Sequence, residues 1–280
     1  MSARNRLPVT TYERGNPMTA TQLTHNVVSR DEWLQVRVAL LAAEKELTHR
    51  RDELARRRRE LPWERVEKNY AFEGPHGRET LADLFAGRSQ LIIYHFMFGP
   101  TWEEGCKSCS LVADHFDGPQ IHLAQRDTAF AVVSRAPMPR IQAFQDRMGW
   151  RFHWVSAFGT DFNRDYGVNF TKEELAGEVT YNYGKQRFGS EEAPGISVFY
   201  KAGDEIFHTY STYGRGLDGL MGTYQLLDLV PKGRDEDGLK FAMSWVRHHD
   251  KYGDDYAVDA KTGYQQPRET EGCSKHEECA

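Results

Sequence analysis

An α/β domain with a central sheet flanked by helices, a long helical arm in front and an aromatic-rich insertion is what three stretches of this 280-residue sequence predict. The first is 90–98, Gln-Leu-Ile-Ile-Tyr-His-Phe-Met-Phe, an apolar run rich in β-branched and aromatic residues with the length of a strand buried on both faces. The second is the succession after it of a helix, another apolar run at 128–133 and another helix, the order of a parallel βαβα half. The third is Pro194-Gly195 followed by 196–200, a Gly-containing loop Lys201-Ala202-Gly203-Asp204, and 205–210, which reads as a β-hairpin.

Taken in order, residues 1–28 show no periodicity and are expected to form a flexible leader. Ser29-Arg30-Asp31-Glu32 is a capping box, because the serine and the glutamate can satisfy each other's orphan N–H groups. A helix follows to about residue 60. Trp33, Leu40, Leu47, Leu54 and Leu61 recur every seven residues, beside charged Arg37, Glu44, Arg51 and Arg58. That single seam is expected to pack on the globular body or on the same helix of a second copy, giving a homodimer. Pro62 ends the helix. A short strand is expected within 66–72, a turn at Gly74-Pro75-His76-Gly77, then a strand end and helical turn over 79–85.

After the 90–98 strand, Gly99-Pro100 opens a loop, and a helix should begin at Cys106 and run to Gly118-Pro119, with a further helical turn at 121–125. Pro137 and Pro139 lead a helix at about 140–148 that places Ile141, Phe144 and Met148 on one face. From 150 to 192 the chain is aromatic and irregular, and an insertion packed over the domain is expected there, with a strand at 152–155. Helices are expected at 219–227 and 239–249, and a polar tail from 251. The domain reading is therefore leader 1–28, helix 29–61, α/β domain 62–250 and tail 251–280.

Composition bounds the partners. A formal charge of -5 offers no global attraction to nucleic acid or acidic membranes, and no segment has the length and apolarity of a transmembrane helix. Arg56–Arg59 alternates with acids nearby and reads as a solvated helix face. The leader has no apolar signal core, so a cytoplasmic protein is expected. Four cysteines in so long a chain do not make a disulfide framework.

The chemistry-bearing motif is Cys106-Lys107-Ser108-Cys109. A dithiol where a helix begins meets unpaired backbone N–H groups that favour a thiolate, and the thiolate is what attacks a disulfide. Cys106 would be the attacking sulfur and Cys109, one turn further in, the resolving one, with a protein or small-molecule disulfide or thiol as partner and no cofactor. Two other readings of the same pair stay open. Cys106 and Cys109 could ligate zinc with Cys273, His276 and Cys279 of the tail, or belong to a redox-inert binding or regulatory protein. His95, inside the strand, reads as a core histidine near the dithiol or a proton shuttle. Trp102 is a candidate platform beside the sulfur, and His208, Tyr210, Tyr213 and Arg215 are candidates to line a pocket or to pack.

A dithiol at a helix start, then a Pro-led hairpin and helix, resembles the layout of the thioredoxin fold. More closely, Ser29-Arg30-Asp31-Glu32-Trp33, Leu61-Pro62-Trp63, Tyr94-His95-Phe96-Met97-Phe98-Gly99-Pro100, Gly105-Cys106-Lys107-Ser108-Cys109-Ser110, Arg147-Met148-Gly149-Trp150 and His208-Thr209-Tyr210-Ser211-Thr212-Tyr213 are similar to a bacterial thioredoxin-like family catalogued as a domain of unknown function and described as predicted dithiol-disulfide oxidoreductases. The resemblance implies that Cys106 and Cys109 are catalytic and that Pro194 stands where the superfamily keeps a cis-proline opposite the dithiol. Thioredoxins place Trp directly before the first cysteine and Gly-Pro between the two. Here Glu103-Glu104-Gly105 separates Trp102 from Cys106, and Lys107-Ser108 lies between the cysteines. Lys107 should favour a thiolate and the two glutamates oppose it. Residues 69–98 also resemble peroxiredoxins, but the proline and hydroxyl positions of their Pro-x-x-x-Thr/Ser-x-x-Cys motif are Gly99 and Glu103, which leaves a peroxidase as the weaker alternative.

Overall fold

The computed structural model of the chain describes residues 25–252 together with 258–259 and 263–264, and the chain divides after Arg59 into two units. The first contains α1 (Arg30–Arg59), which starts as the capping box predicts. The Ser29 N–H donates to Glu32 Oε2 at 2.9 Å and the Glu32 N–H donates to Ser29 Oγ at 3.3 Å. Acidic Asp31 and Glu32 in the first turn and Arg56–Arg59 in the last complement the helix dipole. None of its 30 residues is buried.

The second unit is organised around β4 (Gln90–His95). Along β4 runs β5 (Thr128–Ser134) in parallel, and β6 (His153–Ser156) runs parallel to β5. On the other side β9 (Gly195–Ala202) pairs antiparallel with β4, and β10 (Glu205–Tyr213) pairs antiparallel with β9. Short strands β1 (Glu64–Arg65), β2 (Ala71–Gly74) and β3 (Gly77–Thr80) complete an eight-stranded sheet of order β1-β10-β9-β4-β5-β6-β2-β3. A strand with a parallel βα crossover on one side and an antiparallel hairpin on the other is the thioredoxin-like arrangement.

Burial follows the pleat of β4. Tyr94 and the following Phe96 face the layer that holds α2 (Lys107–Ala113) and α3 (Met138–Met148), in a core with Val132, Ile141, Phe144, Trp150 and Trp154. Leu91 and Ile93 face the other layer, with Phe72, Leu84, Phe85, Val133, Val155 and Phe162. A smaller cluster of Val168, Phe170, Val179, Tyr181 and Tyr213 lies under β7 (Val179–Tyr181) and β8 (Gly184–Gln186).

Several expectations are corrected. The sheet continues into the stretch read as an insertion, because β6 is one of its parallel strands, with Trp154 on one core and Val155 on the other. The short strand expected within 66–72 lies at Ala71–Gly74, at the end of that span and two residues beyond it. The hairpin turn has two residues, since Ala202 pairs with Glu205, and Gly203 supplies the positive φ of +61° that the turn needs. Residues 239–249 are not a helix. There the Glu236 carboxylate accepts from the Met243 N–H at 2.9 Å and from Trp245 Nε1 at 2.6 Å, pinning a chain of turns that a helical backbone could not follow. No peptide bond is cis among the described residues, so the cis geometry implied for Pro194 is not present.

His95 faces away from the dithiol, against Phe162 and Tyr166 in the opposite layer. Its Nε2 meets Ser197 Oγ at 2.8 Å, Ser197 Oγ meets Ser211 Oγ at 2.8 Å, Ser211 Oγ meets His208 Nε2 at 2.7 Å, and His208 Nδ1 meets the Glu64 carboxylate at 3.2 Å. His208, expected to line a pocket or to pack, thus belongs to a polar chain running into the sheet. Burial pushes the His95 imidazole down from 6.5 to about 3. Unfolding would restore a proton site of 6.5, so His95 lowers stability progressively as pH falls from 6.5 toward 3, by as much as about 5 kcal/mol. Glu192, which burial pushes up to about 7, works in the opposite direction between 7 and 4.5, so the steepest loss should lie below 4.5. In urea unfolding across pH, His95→Gln should remove this component, and the gap between its midpoint and the wild-type midpoint should change steadily toward acid. A gap constant from pH 7 to 4 would show that His95 does not titrate with unfolding.

Candidate active site

Cys106 caps α2 with an extended backbone, φ -60° and ψ 132°. Its N–H donates to the Met97 carbonyl at 3.0 Å, which ties the start of α2 to the end of β4, and its carbonyl accepts the Ser110 N–H and Oγ, both at 2.9 Å. Both cysteines are free thiols, Cys106 half-buried and Cys109 buried at 2% exposure. The two environments push the sulfurs apart. Cys106 is drawn down from 9.0 to about 7, chiefly by hydrogen bonding from the Cys109 thiol, then by the backbone N–H groups of Cys109 and Ser108 and the charge of Lys107, against the cost of burial. Cys109 is pushed well up, by burial first and then by Cys106, while the Tyr94 hydroxyl opposes the rise. Tyr94 is fully buried and its hydroxyl donates to the Cys109 carbonyl at 3.4 Å.

The loop before Cys106 is held from three sides. Arg140 Nη1 donates to the carbonyls of Pro100 at 2.8 Å and Trp102 at 2.7 Å, fixing the loop's first half. Trp102 is half-buried on the edge of the dithiol-side core and its indole lies over Gly99, where a Cβ would come within 2.9 Å of Nε1. Gly105 is buried so tightly that a Cβ would stand 2.4 Å from Phe96 and 2.8 Å from Phe144, so the residue before the dithiol has no room for a side chain. Its carbonyl accepts from His248 Nε2 at 2.9 Å.

His248 has 1% exposure, and its other nitrogen, Nδ1, accepts from Arg147 Nη2 at 2.9 Å. An imidazole that donates through Nε2 and accepts through Nδ1 is neutral, and burial lowers its pKa accordingly. Arg147 also pairs with Glu104 and with Asp250, the latter at 3.0 Å, and Lys251 Nζ lies 2.6 Å from Glu104. These cations hold the Glu104 carboxylate down to about 2, with Lys251 the larger influence. Glu104, expected to oppose a thiolate, has its charge committed to Arg147 and Lys251. Next to His248, His249 Nδ1 meets Asp114 Oδ1 at 2.7 Å, and Trp150 Nε1 donates to the same oxygen at 2.8 Å, fastening the C-terminal segment to the end of α2. The only trace of this strap in the sequence is the dyad His248-His249 after apolar Val246, with Asp250 following; the Arg147-Met148-Gly149-Trp150 stretch shows nothing of the role its arginine takes.

Lys107 is exposed and acts on Cys106 through its charge alone. Pro194 is half-buried directly before Gly195, which pairs with His95 at the dithiol end of β4. Its carbonyl accepts from Tyr181 of β7 at 2.7 Å, while the Gly214 N–H donates to the same phenol at 2.9 Å, so the hairpin β7–β8 orders the chain where it enters β9. Among the described residues no three His, Cys, Asp or Glu side chains come together as a metal set, and Cys273, His276 and Cys279 lie outside the described residues. No helix among the described residues is long and apolar enough to cross a membrane.

Residues 22–252 match DUF899, a family described as bacterial protein of unknown function. No curated protein matches the chain. Among solved structures, the chain is similar to a cysteine-to-serine mutant of PrxQ from Xylella fastidiosa, with 11% identity over 59% of this chain and 94% of that one and a TM-score of 0.39. It is also similar to peroxiredoxin Q from Xanthomonas campestris, with 14% identity, 59% and 97% coverage and a TM-score of 0.38. A Chlorobium tepidum protein described as thiol:disulfide interchange protein DsbE gives 12% identity, 59% and 97% coverage and a TM-score of 0.38. Likeness at this level concerns the fold, and it carries no residue role or activity to this chain.

Proposed function

The chain belongs to the DUF899 family, and from that premise and the asymmetry of its two sulfurs we propose that it is a dithiol–disulfide oxidoreductase. The observation that carries the reading is the contrast between Cys106, half-buried with its thiol drawn down to about 7, and Cys109, buried with its thiol pushed up. The lowered Cys106 pKa favours its thiolate near neutral pH, and an attacking thiol is most effective when its pKa lies near ambient pH. The Cys106 thiolate attacks one sulfur of a partner disulfide, forming a mixed disulfide and releasing the other partner sulfur as a thiolate. Forming that bond removes the negative charge from Cys106 and with it a cause of the high Cys109 pKa. Cys109 then loses its proton to solvent or to the departing thiolate, attacks Cys106, and releases the second partner thiol. The partner gains two electrons and two protons, and the protein is left with a Cys106–Cys109 disulfide that an external dithiol reductant must reopen.

The test is trapping. Cys109→Ser should accumulate a mixed disulfide through Cys106 with partner proteins or with an added small disulfide, seen by mass spectrometry as a thiol-reversible adduct on the peptide carrying Cys106. Freshly purified protein in which Cys106 is metal-bound and resists both disulfides and alkylation would overturn the reading in favour of the zinc alternative.

A further inference from the structure

Helix α1 is 30 residues long and leaves its apolar seam uncovered, with Trp33 53%, Leu40 55%, Leu47 51% and Leu54 46% exposed. Most helices in folded proteins draw their stability from burying such a face, and among the described residues of its own unit nothing covers this one. Setting the seam residues as the a positions of a heptad puts Val36 and Ala43 at d, so two successive heptads, Trp33 to Leu47, carry an apolar a/d surface. The flanks then sort by sign. Position e holds Arg37, Glu44, Arg51 and Arg58, and position g holds Ala39, Glu46, Glu53 and Glu60, so the sorting is complete only from Glu46 onward.

We propose that α1 pairs with α1 of a second copy of this chain as a parallel two-stranded coiled coil. In a parallel pair each g residue faces the e residue five positions further along the partner helix. That sets Glu46 opposite Arg51 of the other copy and Glu53 opposite Arg58 of the other copy, four opposite-charge contacts by symmetry. An antiparallel pair would set g against g and e against e; it loses the Glu46–Arg51 and Glu53–Arg58 contacts and brings the acids Glu46, Glu53 and Glu60 of the g row to one another. Like charges in apposition are what select against a wrong arrangement. The present contacts of Glu46 with Arg50 and of Glu53 with Arg56 lie on the exposed surface of one helix, where ion pairs are worth little, so both glutamates are available to turn to the partner. Arg50 and Arg57 occupy the two C-terminal d positions, which limits the assembly to two strands. In a dimer their stems can lie along the seam with the guanidinium in water, whereas a wider bundle would enclose the charge. The proposal is independent of the dithiol chemistry.

The full-length chain should sediment as a dimer at micromolar concentration. Glu46→Arg with Glu53→Arg should weaken the dimer at least about a hundredfold by turning all four contacts repulsive. Arg51→Glu with Arg58→Glu should do the same, and the four changes together should restore dimerisation, which shows that the charge-swapped helix still forms. Orientation is read from Leu40→Cys under mild oxidation. A parallel pair places the two copies of position 40 side by side, so peptide mass spectrometry should find a 40–40 disulfide, and Gln35→Cys on the outer face should give none. A monomeric wild-type chain, whether its seam is covered by the body or by residues 1–28, overturns the proposal. So does a dimer indifferent to the charge swaps, or one in which Leu40→Cys does not cross-link.

Discussion

Cys106→Ser is expected to lower disulfide reduction by at least about a thousandfold, to the rate of the uncatalysed exchange. Serine keeps the N-cap geometry but gives no thiolate at neutral pH. Cys109 cannot take over, because it has 2% exposure and its thiol is pushed up by burial. Cys109→Ser should behave differently. It retains the reachable sulfur, so a first attack proceeds and a single equivalent of thiol is released before turnover stalls. Steady-state reduction of a chromogenic aromatic disulfide, alongside a single-turnover measurement of released thiol, separates the two variants. Retained turnover in Cys106→Ser with loss in Cys109→Ser would reverse the roles, and retained turnover in both would place the chemistry elsewhere or nowhere.

Substituting His248 by leucine should cost about 2–4 kcal/mol of stability and slow the reaction of Cys106 with alkylating agents. The imidazole satisfies two buried groups at once, the Gly105 carbonyl and an Arg147 N–H, and leucine satisfies neither. Leaving a buried carbonyl unpaired directly before Cys106 would let the loop shift from the position in which the sulfur receives the N–H groups of Ser108 and Cys109. In the wild type the pH profile of Cys106 alkylation should turn near 7. In His248→Leu it should move toward the ordinary thiol value of 9.0 from which those groups draw it down. His248→Gln, whose amide can donate to one side and accept from the other, should keep most of both properties. A mere packing role would move stability without moving the profile, so a His248→Leu protein that is weakened but still alkylates with an inflection near 7 would remove His248 from the machinery of the site.

Much of the framework was legible along the chain. The capping box at Ser29, the break before Pro62, the strands at 90–95 and 128–134 and the hairpin are local signals, fixed by hydrogen bonding and side-chain alternation within a few residues of one another. The failures share a cause. The strand expected at 152–155 forms as β6, but it reads as part of an irregular insertion rather than of the main sheet because both its faces are aromatic or apolar, a pattern explained only by the two cores it divides. The 239–249 stretch has the apolar spacing of a helix, yet its carboxylate and indole partners at Glu236 and Trp245 dictate turns.

Sequence alone therefore determined the identity of the dithiol, its position at the start of a helix after a buried strand, and the family to which the chain belongs, since these depend on residue type and short spacing. Tertiary structure decided which sulfur is open and which is sealed, that His95 faces the far side of the sheet, and that His248, 143 residues from Gly105, holds the loop before Cys106. Those facts depend on desolvation and on hydrogen bonds between segments distant along the chain. Neither is encoded in the neighbours of any one residue; both exist only once the chain has closed on itself.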